Sequence, residues 1–208
     1  GCNPCSEIIL RDGQFCNLTE CVIRKEDRQE DIKNKVRLAT ILGTFQASLT
    51  NIKRLRIKWV KNTEEEALLG VSLTGIMDNT LMSGGYKGRG TSELISGKLS
   101  LPDFLMSLKA EAVKVNKEWS KRLGIEQSTS VTAIKPSGTV SQLVDSASGI
   151  HTRHGDYYLR RVRADAKDPI AQLMESQGIP CEDDIMKPDS VKVFTFPMKA
   201  PNGAILRN

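Results

Sequence analysis

Residues 131–146 read Val131-Thr-Ala-Ile-Lys-Pro-Ser-Gly-Thr-Val-Ser-Gln-Leu-Val-Asp-Ser146. Val131 to Ile134 is short and β-branched, which suits a buried strand. Lys135 to Ser141 turns out of that strand, and a helix is expected from there to about Ser146. Strand, turn and helix in succession are the building unit of an α/β fold. Ser137, Gly138, Thr139 and Ser141 place hydroxyls and free backbone N–H groups where the helix starts. Such a start attracts anions, because its first N–H groups have no intrahelical partner and the helix dipole favours negative charge. Gly138 lets a ligand approach the backbone closely. An ordinary capped helix after a turn has the same composition, so both readings stand.

Elements of the same two kinds flank this unit. Upstream, Ser100-x-x-Asp103 with Pro102 opens a helix. Its apolar stripe is Phe104, Leu108, Ala112, Val115, Trp119 and Leu123, and Gly124 ends it. Residues 83–98 carry five glycines, and no Gly-Lys-Ser/Thr closes the run, so it reads as a surface excursion, not a nucleotide loop. Val71 to Met77 reads as a buried strand. Thr63-x-x-Glu66 has the capping-box pattern for a short helix. Ile32, Val36, Ala39, Leu42, Phe45, Leu49, Ile52 and Leu55 recur at steps of three and four, which predicts one long helix. Lys53, Arg54, Arg56 and Lys58 crowd its far end and read as a solvated helix end. Residues 1–23 form a loop that feeds a short extended run, Cys21 to Ile23. Downstream, strands are expected at Tyr157–Val162 and Val191–Phe196, with a helix at Ile170–Gln177. Helices alternating with strands predict an α/β class with a largely parallel sheet.

The 208 residues allow about 1.4 domains at roughly 150 residues each. Hydrophobic residues make up 39% and charged residues 26%. That composition excludes a long disordered tail, a collagen-like repeat and a coiled coil. No apolar run approaches the roughly 18 residues of a membrane span, and no secretory signal is present. The net charge of +5 suits a phosphate-bearing partner without demanding one. A first residue Gly1 in place of Met reads as a piece of something longer.

Five cysteines, with Cys2, Cys5, Cys16 and Cys21 crowded at the start, point to a reducing, cytoplasmic setting more than to a disulfide scaffold. Cys2-x2-Cys5 with Cys16-x4-Cys21 is compatible with a zinc site, with redox or radical chemistry, or with small packing residues. Asn3, Cys5 and Glu7 alternate along an extended loop and so face one way. A carboxylate beside a thiol opposes thiolate formation. The pair therefore suits a thiol that loses a hydrogen atom beside a base that handles a proton.

Asn3-Pro-Cys-Ser-Glu7 followed by Phe15-Cys16-Asn17-Leu18 resembles the finger loop of ribonucleotide reductases. Lys135-Pro-Ser-Gly-Thr-Val-Ser141 resembles their substrate-phosphate loop. Asn62 to Glu66, Gly70 to Asp78, Ser146 to Arg153 and Tyr157 to Arg163 resemble the adenosylcobalamin-dependent class, in its monomeric ribonucleoside-triphosphate branch. The resemblance runs nearly end to end and is weakest over residues 79–100. It implies half of a ten-stranded α/β barrel, with residues 1–23 as the central finger loop and following segment, and 24–208 as the second half-barrel. It implies Cys5 as the thiyl-radical residue, Glu7 as the base for the 3′-hydroxyl, Asn3 as a ligand of the sugar hydroxyls, and Cys16 as one of two reducing thiols. Pro136, Ser137, Gly138, Thr139, Val140 and Ser141 would bind the substrate phosphates. The implied cofactor is adenosylcobalamin, bound largely by absent parts. The implied partners are a ribonucleoside triphosphate, a thioredoxin-like reductant and the missing N-terminal half, with no membrane and no nucleic acid.

The partner of Cys16 is expected upstream of residue 1, and the family's C-terminal cysteine pair is absent. The piece alone is therefore expected to be inactive. Cys2 and Cys21 fall outside the catalytic set and read as packing residues, and Tyr157-Tyr158 as a strand pair. A diphosphate-using or metal-radical reductase and a zinc-stabilised binding module are the competing expectations.

Overall fold

The computed structural model describes residues 1–84 and 100–207, so nearly all of the glycine-rich run at 83–98 lies outside the described residues. Two compact units divide the chain. The first comprises Gly1–Thr152 with Gly203–Ile205, and the second Arg153–Asn202 with Leu206–Asn208.

In the first unit, β1 (Asn17–Val22) and β2 (Leu69–Thr74) pair in parallel, Asn17 opposite Leu69 and Val22 opposite Thr74. Two helices, α1 (Gln29–Ala47) and α3 (Leu101–Leu123), pack with them. Between α1 and β2 lies α2 (Ile57–Glu66), and Ile76–Asp78 is a single 3-10 turn after β2. The core joins Cys21, Ile32, Val36, Leu69, Val71, Phe104, Leu108 and Ala112. Burying such side chains is the main favourable term in folding. The opposite face of the sheet is held by different partners. A Cβ at Gly70 would meet Leu18, Ile8 and Ala133, while Glu20 reaches Ser137. Side chains alternate between the faces of a strand, so one face builds the core and the other carries the N-terminal loop and the 135–149 segment.

α3 begins and ends where the sequence signals put it. Ser100 Oγ accepts from the Asp103 N–H at 3.3 Å, and Gly124 closes the helix at φ 68°. Phe104, Leu108, Ala112 and Val115 are buried as expected, but so are Asn116 and Ser120. Asn116 donates to Thr44 Oγ1 (3.1 Å) and Ser128 Oγ (2.9 Å) and accepts from the Ser128 N–H (3.0 Å). A buried amide satisfied in this way is tolerated in a core.

The long helix expected to run to Leu55 stops at Ala47. There Ser48 turns its hydroxyl onto the Phe45 carbonyl at 2.7 Å, a local bond that competes with the helix. The buried face of α1 is also rotated from the leucine stripe. Thr40, Gly43, Thr44 and Ala47 face inward, and Leu38, Leu42, Phe45 and Leu49 are exposed. Gly43 explains the choice, since a Cβ there would already touch Leu69 and Thr19. Small residues let helix and sheet approach to native packing density. The cations at 53–58 therefore lie in the connection to α2 and its first turn, not at a helix C-terminus. Thr63 and Glu66 do not open a helix either. They sit in the last turn of α2, which closes through Ala67 at φ 42°. Carboxylates there oppose the helix dipole. Arg11 pairs with Glu65 (3.0 Å) and Glu66 (3.4 Å), which offsets that cost.

Three strand expectations also change. Val71–Met77 is realised as Leu69–Thr74 plus the 3-10 turn, and Cys21–Ile23 as the longer β1. Val131–Ile134 is no full strand. It makes one parallel bridge, Thr132 to Val71, fastened by Val71 N–H to Val131 O (2.9 Å) and Ala133 N–H to Val71 O (3.1 Å). The helix expected to reach Ser146 is the single turn α4 (Val140–Leu143), because Asp145 adopts φ 46°. A left-handed residue cannot continue a right-handed helix.

The second unit is an antiparallel sheet, β3 (Tyr157–Asp165), β5 (Val191–Lys199) and β4 (Cys181–Asp183) in that order, with α5 (Pro169–Ser176). Tyr157 and Tyr158 lie on β3, paired with Lys199 and Met198. The expectation of a largely parallel sheet thus holds for the first unit and fails for the second. The physical reason is the short connection, since residues 184–190 return β4 directly to β5, without the crossover helix that parallel strands need. No helix among the described residues is long and apolar enough to cross a membrane.

Candidate functional site

Residues 1–10 form a hairpin. Cys2 bridges Ile9 antiparallel, the Leu10 N–H donates to Gly1 O (3.0 Å), and the Asn3 N–H donates to Ile8 O (3.2 Å). The tip is Asn3-Pro4-Cys5-Ser6-Glu7, closed by the Ser6 N–H on Asn3 O (2.9 Å) with Ser6 at φ 62°. Asn3 Oδ1 accepts from the Ile8 N–H at 3.1 Å. A left-handed serine is strained, and a local hydrogen-bond net of this kind holds it. The tip therefore presents Cys5 outward, exposed and unoxidised.

The stretch is a tight turn, not the extended loop expected from the alternation of Asn3, Cys5 and Glu7, and the Glu7 side chain is buried where Cys5 is exposed. That side chain is only 6% exposed, and Oε1 receives the Lys135 ammonium at 3.2 Å. The same ammonium lies 3.9 Å from Cys5 Sγ. Burial pushes the Glu7 carboxyl up, but its own N–H, the Asn3 amide and the Lys135 ammonium outweigh this and hold it below 4.5. Hydrogen bonds and a nearby cation both favour the charged form. The second oxygen, Oε2, is buried and makes no hydrogen bond of good geometry. A carboxylate with one oxygen paired and one buried and unsatisfied is suited to a hydroxyl donor from a ligand.

A depressed carboxyl stabilises the fold fully above its ordinary value of 4.5, and that contribution is lost as pH falls through the lower folded value. Glu7→Gln is therefore expected to be less stable than the parent at neutral pH. The gap should close on acidification, read by urea unfolding at a series of pH values. A gap independent of pH would show that the ion pair does not stabilise the hairpin.

Cys16 lies just before β1 and is half-buried. Burial, then the nearby Glu7 charge, raises its thiol to about 11, so it stays protonated at neutral pH. Its segment is fastened to α2. Phe15 packs on Trp59 at 4.7 Å, Gln14 Nε2 donates to Glu66 Oε2 at 2.5 Å, and Lys58 pairs with Asp12 at 2.7 Å. Cys21 is a packing residue as expected, 3% exposed, its thiol raised to about 12 by burial. Cys2 is not one. It is exposed, with Sγ 3.6 Å from Ser6 Oγ. The four cysteines thus divide between tip, segment and core, and the described residues contain no group of three or more metal-ligating side chains.

The 135–141 turn is built onto the end of β2. Gly75 N–H and Thr74 Oγ1 both donate to Ala147 O (2.8 and 3.0 Å), and Gly149 N–H donates to Thr74 Oγ1 (2.8 Å). Ser148 Oγ donates to Ser137 O. Two of the expected phosphate ligands are spent internally. Ser137 Oγ donates to Glu20 Oε1 (2.6 Å) and accepts from the Ser141 N–H (3.0 Å), while Ser141 Oγ donates to Ser137 O (2.7 Å). Both serines are buried. Gly138, Thr139 and Val140 are exposed, and their N–H groups have no acceptor among the described residues.

The fold therefore brings Asn3, Cys5 and Glu7 together, places Cys16 near Glu7, and joins this group to the 136–141 turn through Lys135. Sequence reasoning assigned no role to Lys135 or Glu20. The one available signal was that Lys135 directly precedes the Pro-Ser-Gly-Thr run.

No family model matches the chain. Three curated relatives are named adenosylcobalamin-dependent ribonucleoside-triphosphate reductase. That of Lactobacillus gasseri is 30% identical over 97% of this chain, that of Lactobacillus leichmannii 31% over 96%, and that of Lactobacillus acidophilus 29% over 96%. The chain spans 28% of the length of each. A solved structure described as a B-12 dependent (class II) ribonucleotide reductase superposes with a TM-score of 0.67. The match has 24% identity and covers 99% of this chain and 30% of that one, a likeness that bears on the fold. Along 96% or more of its residues, the chain is similar to one segment of relatives named adenosylcobalamin-dependent ribonucleoside-triphosphate reductase.

Proposed function

We propose that this chain is the thiyl-bearing part of a ribonucleotide reductase. In this reading it is half of an α/β barrel, with residues 1–23 as the finger loop at its centre and 24–208 as the second half-barrel. The observation that carries it is the contact of the Glu7 carboxylate, 3.2 Å from Lys135, which ties the Asn3–Cys5–Glu7 tip to the root of the 136–141 turn. A nucleotide with its phosphates on the Gly138, Thr139 and Val140 N–H groups would lay its ribose toward the tip.

The chemistry then divides among the chain's own residues. Cys5, as a thiyl radical, takes the hydrogen atom from C3′. Glu7 accepts the 3′-hydroxyl proton, and Asn3 orients the sugar hydroxyls. The 2′-hydroxyl leaves as water. Cys16 and a second thiol from the longer polypeptide supply two electrons and two protons and end as a disulfide. Cys5 returns its hydrogen atom to C3′, and Glu7 returns the proton to the 3′ oxygen, which closes the cycle. A protonated Cys16, its thiol raised to about 11, is the form this step requires. Adenosylcobalamin, when bound to the assembled enzyme, would supply the radical equivalent. An exposed thiol at a tight turn fits that supply, because Cys5 is open to an approaching group. A thioredoxin-like dithiol would reset the disulfide in a reducing, cytoplasmic setting.

The test is complementation. The chain is mixed with the remaining polypeptide, adenosylcobalamin, a dithiol and ribonucleoside triphosphates, and deoxynucleotides are quantified. Product from the mixture and none from the chain alone is expected, with triphosphates preferred over diphosphates in competition. Absence of product from a mixture whose parts co-elute would refute the assignment.

A further inference from the structure

Lys135 stands in a place that a fixed ion pair does not explain. A carboxylate that must take up a proton is a weaker base while a cation sits on it. Glu7 nevertheless carries the Lys135 ammonium at 3.2 Å, with the Cys5 thiol 3.9 Å from the same nitrogen. The 136–141 turn has the opposite deficit. Its exposed donors, the N–H groups of Gly138, Thr139 and Val140, are neutral, and the Ser137 and Ser141 hydroxyls are already used. The Glu20 carboxylate is hydrogen-bonded to that turn, which is unfavourable for a polyanion. Between residues 135 and 149 the chain has a single Lys or Arg, and it is Lys135. Its backbone lies close against Gly149, where an added Cβ would come within 3.1 Å of Lys135 O. Its side chain is 25% exposed, and a lysine carries a compact charge on a flexible stem.

We propose that Lys135 is a shared cation: it neutralises Glu7 before a nucleotide binds, then passes to the phosphate chain on the 136–141 turn and leaves Glu7 free as the base. This rests on the reading of that turn as a phosphate site. The groups at the ammonium are Glu7 and Cys5, and Glu7 in turn receives the Asn3 amide and acts on the Cys16 thiol. Substrate binding and proton acceptance are thereby coupled, because the phosphates that anchor the nucleotide also remove the charge that holds the carboxylate.

Inorganic tripolyphosphate is the probe, and side-chain carboxyl NMR of Glu7 in the whole chain is the readout. In the wild type, saturating tripolyphosphate is expected to shift the Gly138, Thr139 and Val140 amide signals and to raise the Glu7 titration midpoint. Lys135→Met should start from a raised midpoint, bind tripolyphosphate roughly tenfold more weakly and show no further rise. Lys135→Arg should keep the rise, since it keeps the charge. Amide shifts without movement of Glu7 would overturn the shared cation and leave the phosphate turn standing. No amide shifts at saturation of the accessible concentration range would overturn both.

Discussion

Cys5→Ala in the complemented enzyme is expected to abolish deoxynucleotide formation, a loss of at least about ten-thousand-fold for a group that forms the reacting bond. The other cysteines of the first unit differ from it in burial or in partners. Cys16 is half-buried and assigned to the reducing pair, and Cys21 is sealed in the core. Cys2 is the relevant control, since it is also exposed on the same hairpin. Its Sγ lies 3.6 Å from Ser6 Oγ, whereas Cys5 shares the Lys135 ammonium with Glu7, so Cys2→Ala should retain activity within about threefold. Cys5→Ser is the sharper variant. It keeps size and polarity, yet a hydroxyl does not yield its hydrogen atom as a thiol does. Cys5 is exposed, and among the described residues its side chain bonds only with Lys135, so the fold should be untouched. Substantial turnover in Cys5→Ala or Cys5→Ser, with Cys2→Ala inactive, would move the radical site to Cys2 and remove the basis for the Glu7 assignment.

What the sequence disclosed and what it withheld follow the range of the interactions. The hairpin tip was legible only in part: Asn3, Cys5 and Glu7 do lie together, but a turn with Ser6 at φ 62° gathers them, not alternation along an extended loop. The ends of α3 were legible because cap residues act within one turn. Lys135 and Glu20 were not, because their partners Glu7 and Ser137 lie 128 and 117 residues away. The inward face of α1 misled the reading because apolar periodicity gives weight to Leu42 and Leu49. Packing instead selected Gly43 and Thr44, which fit against β2 and Asn116. Thr63 and Glu66 misled it because a capping-box spacing also occurs at a helix end, where Arg11 and Gln14 supply the missing charge and donors. The 131–146 stretch announced a full strand and helix and delivered one bridge and one turn. The chemistry assigned to it needs only the turn.

Gly75→Ala is expected to cost about 4 kcal/mol, the sum of a left-handed alanine and a forced contact. Gly75 sits at φ 77°, and a Cβ there would lie 2.4 Å from the Ile23 carbonyl oxygen, which is backbone and cannot swing away. Three structural joints meet at this residue. The Ile23 N–H donates to Thr74 O (2.8 Å), which ties the end of β1 to β2. The Gly75 N–H donates to Ala147 O (2.8 Å), and the Ala147 N–H donates to Asp78 Oδ2 (2.7 Å). Ser148, the next residue, holds the Ser137 carbonyl and hence the 136–141 turn. The substitution should therefore lower the urea midpoint and also speed amide exchange at Ala147 and Gly149. Gly124→Ala separates the two causes. It has nearly the same backbone angle, φ 68°, but nothing within 4 Å of an added Cβ. Only the conformational cost of about 1 kcal/mol then remains. Equal losses in the two variants would mean that β1 gives way freely at Ile23, and that the 147–149 segment does not depend on Gly75 to hold the turn against β2.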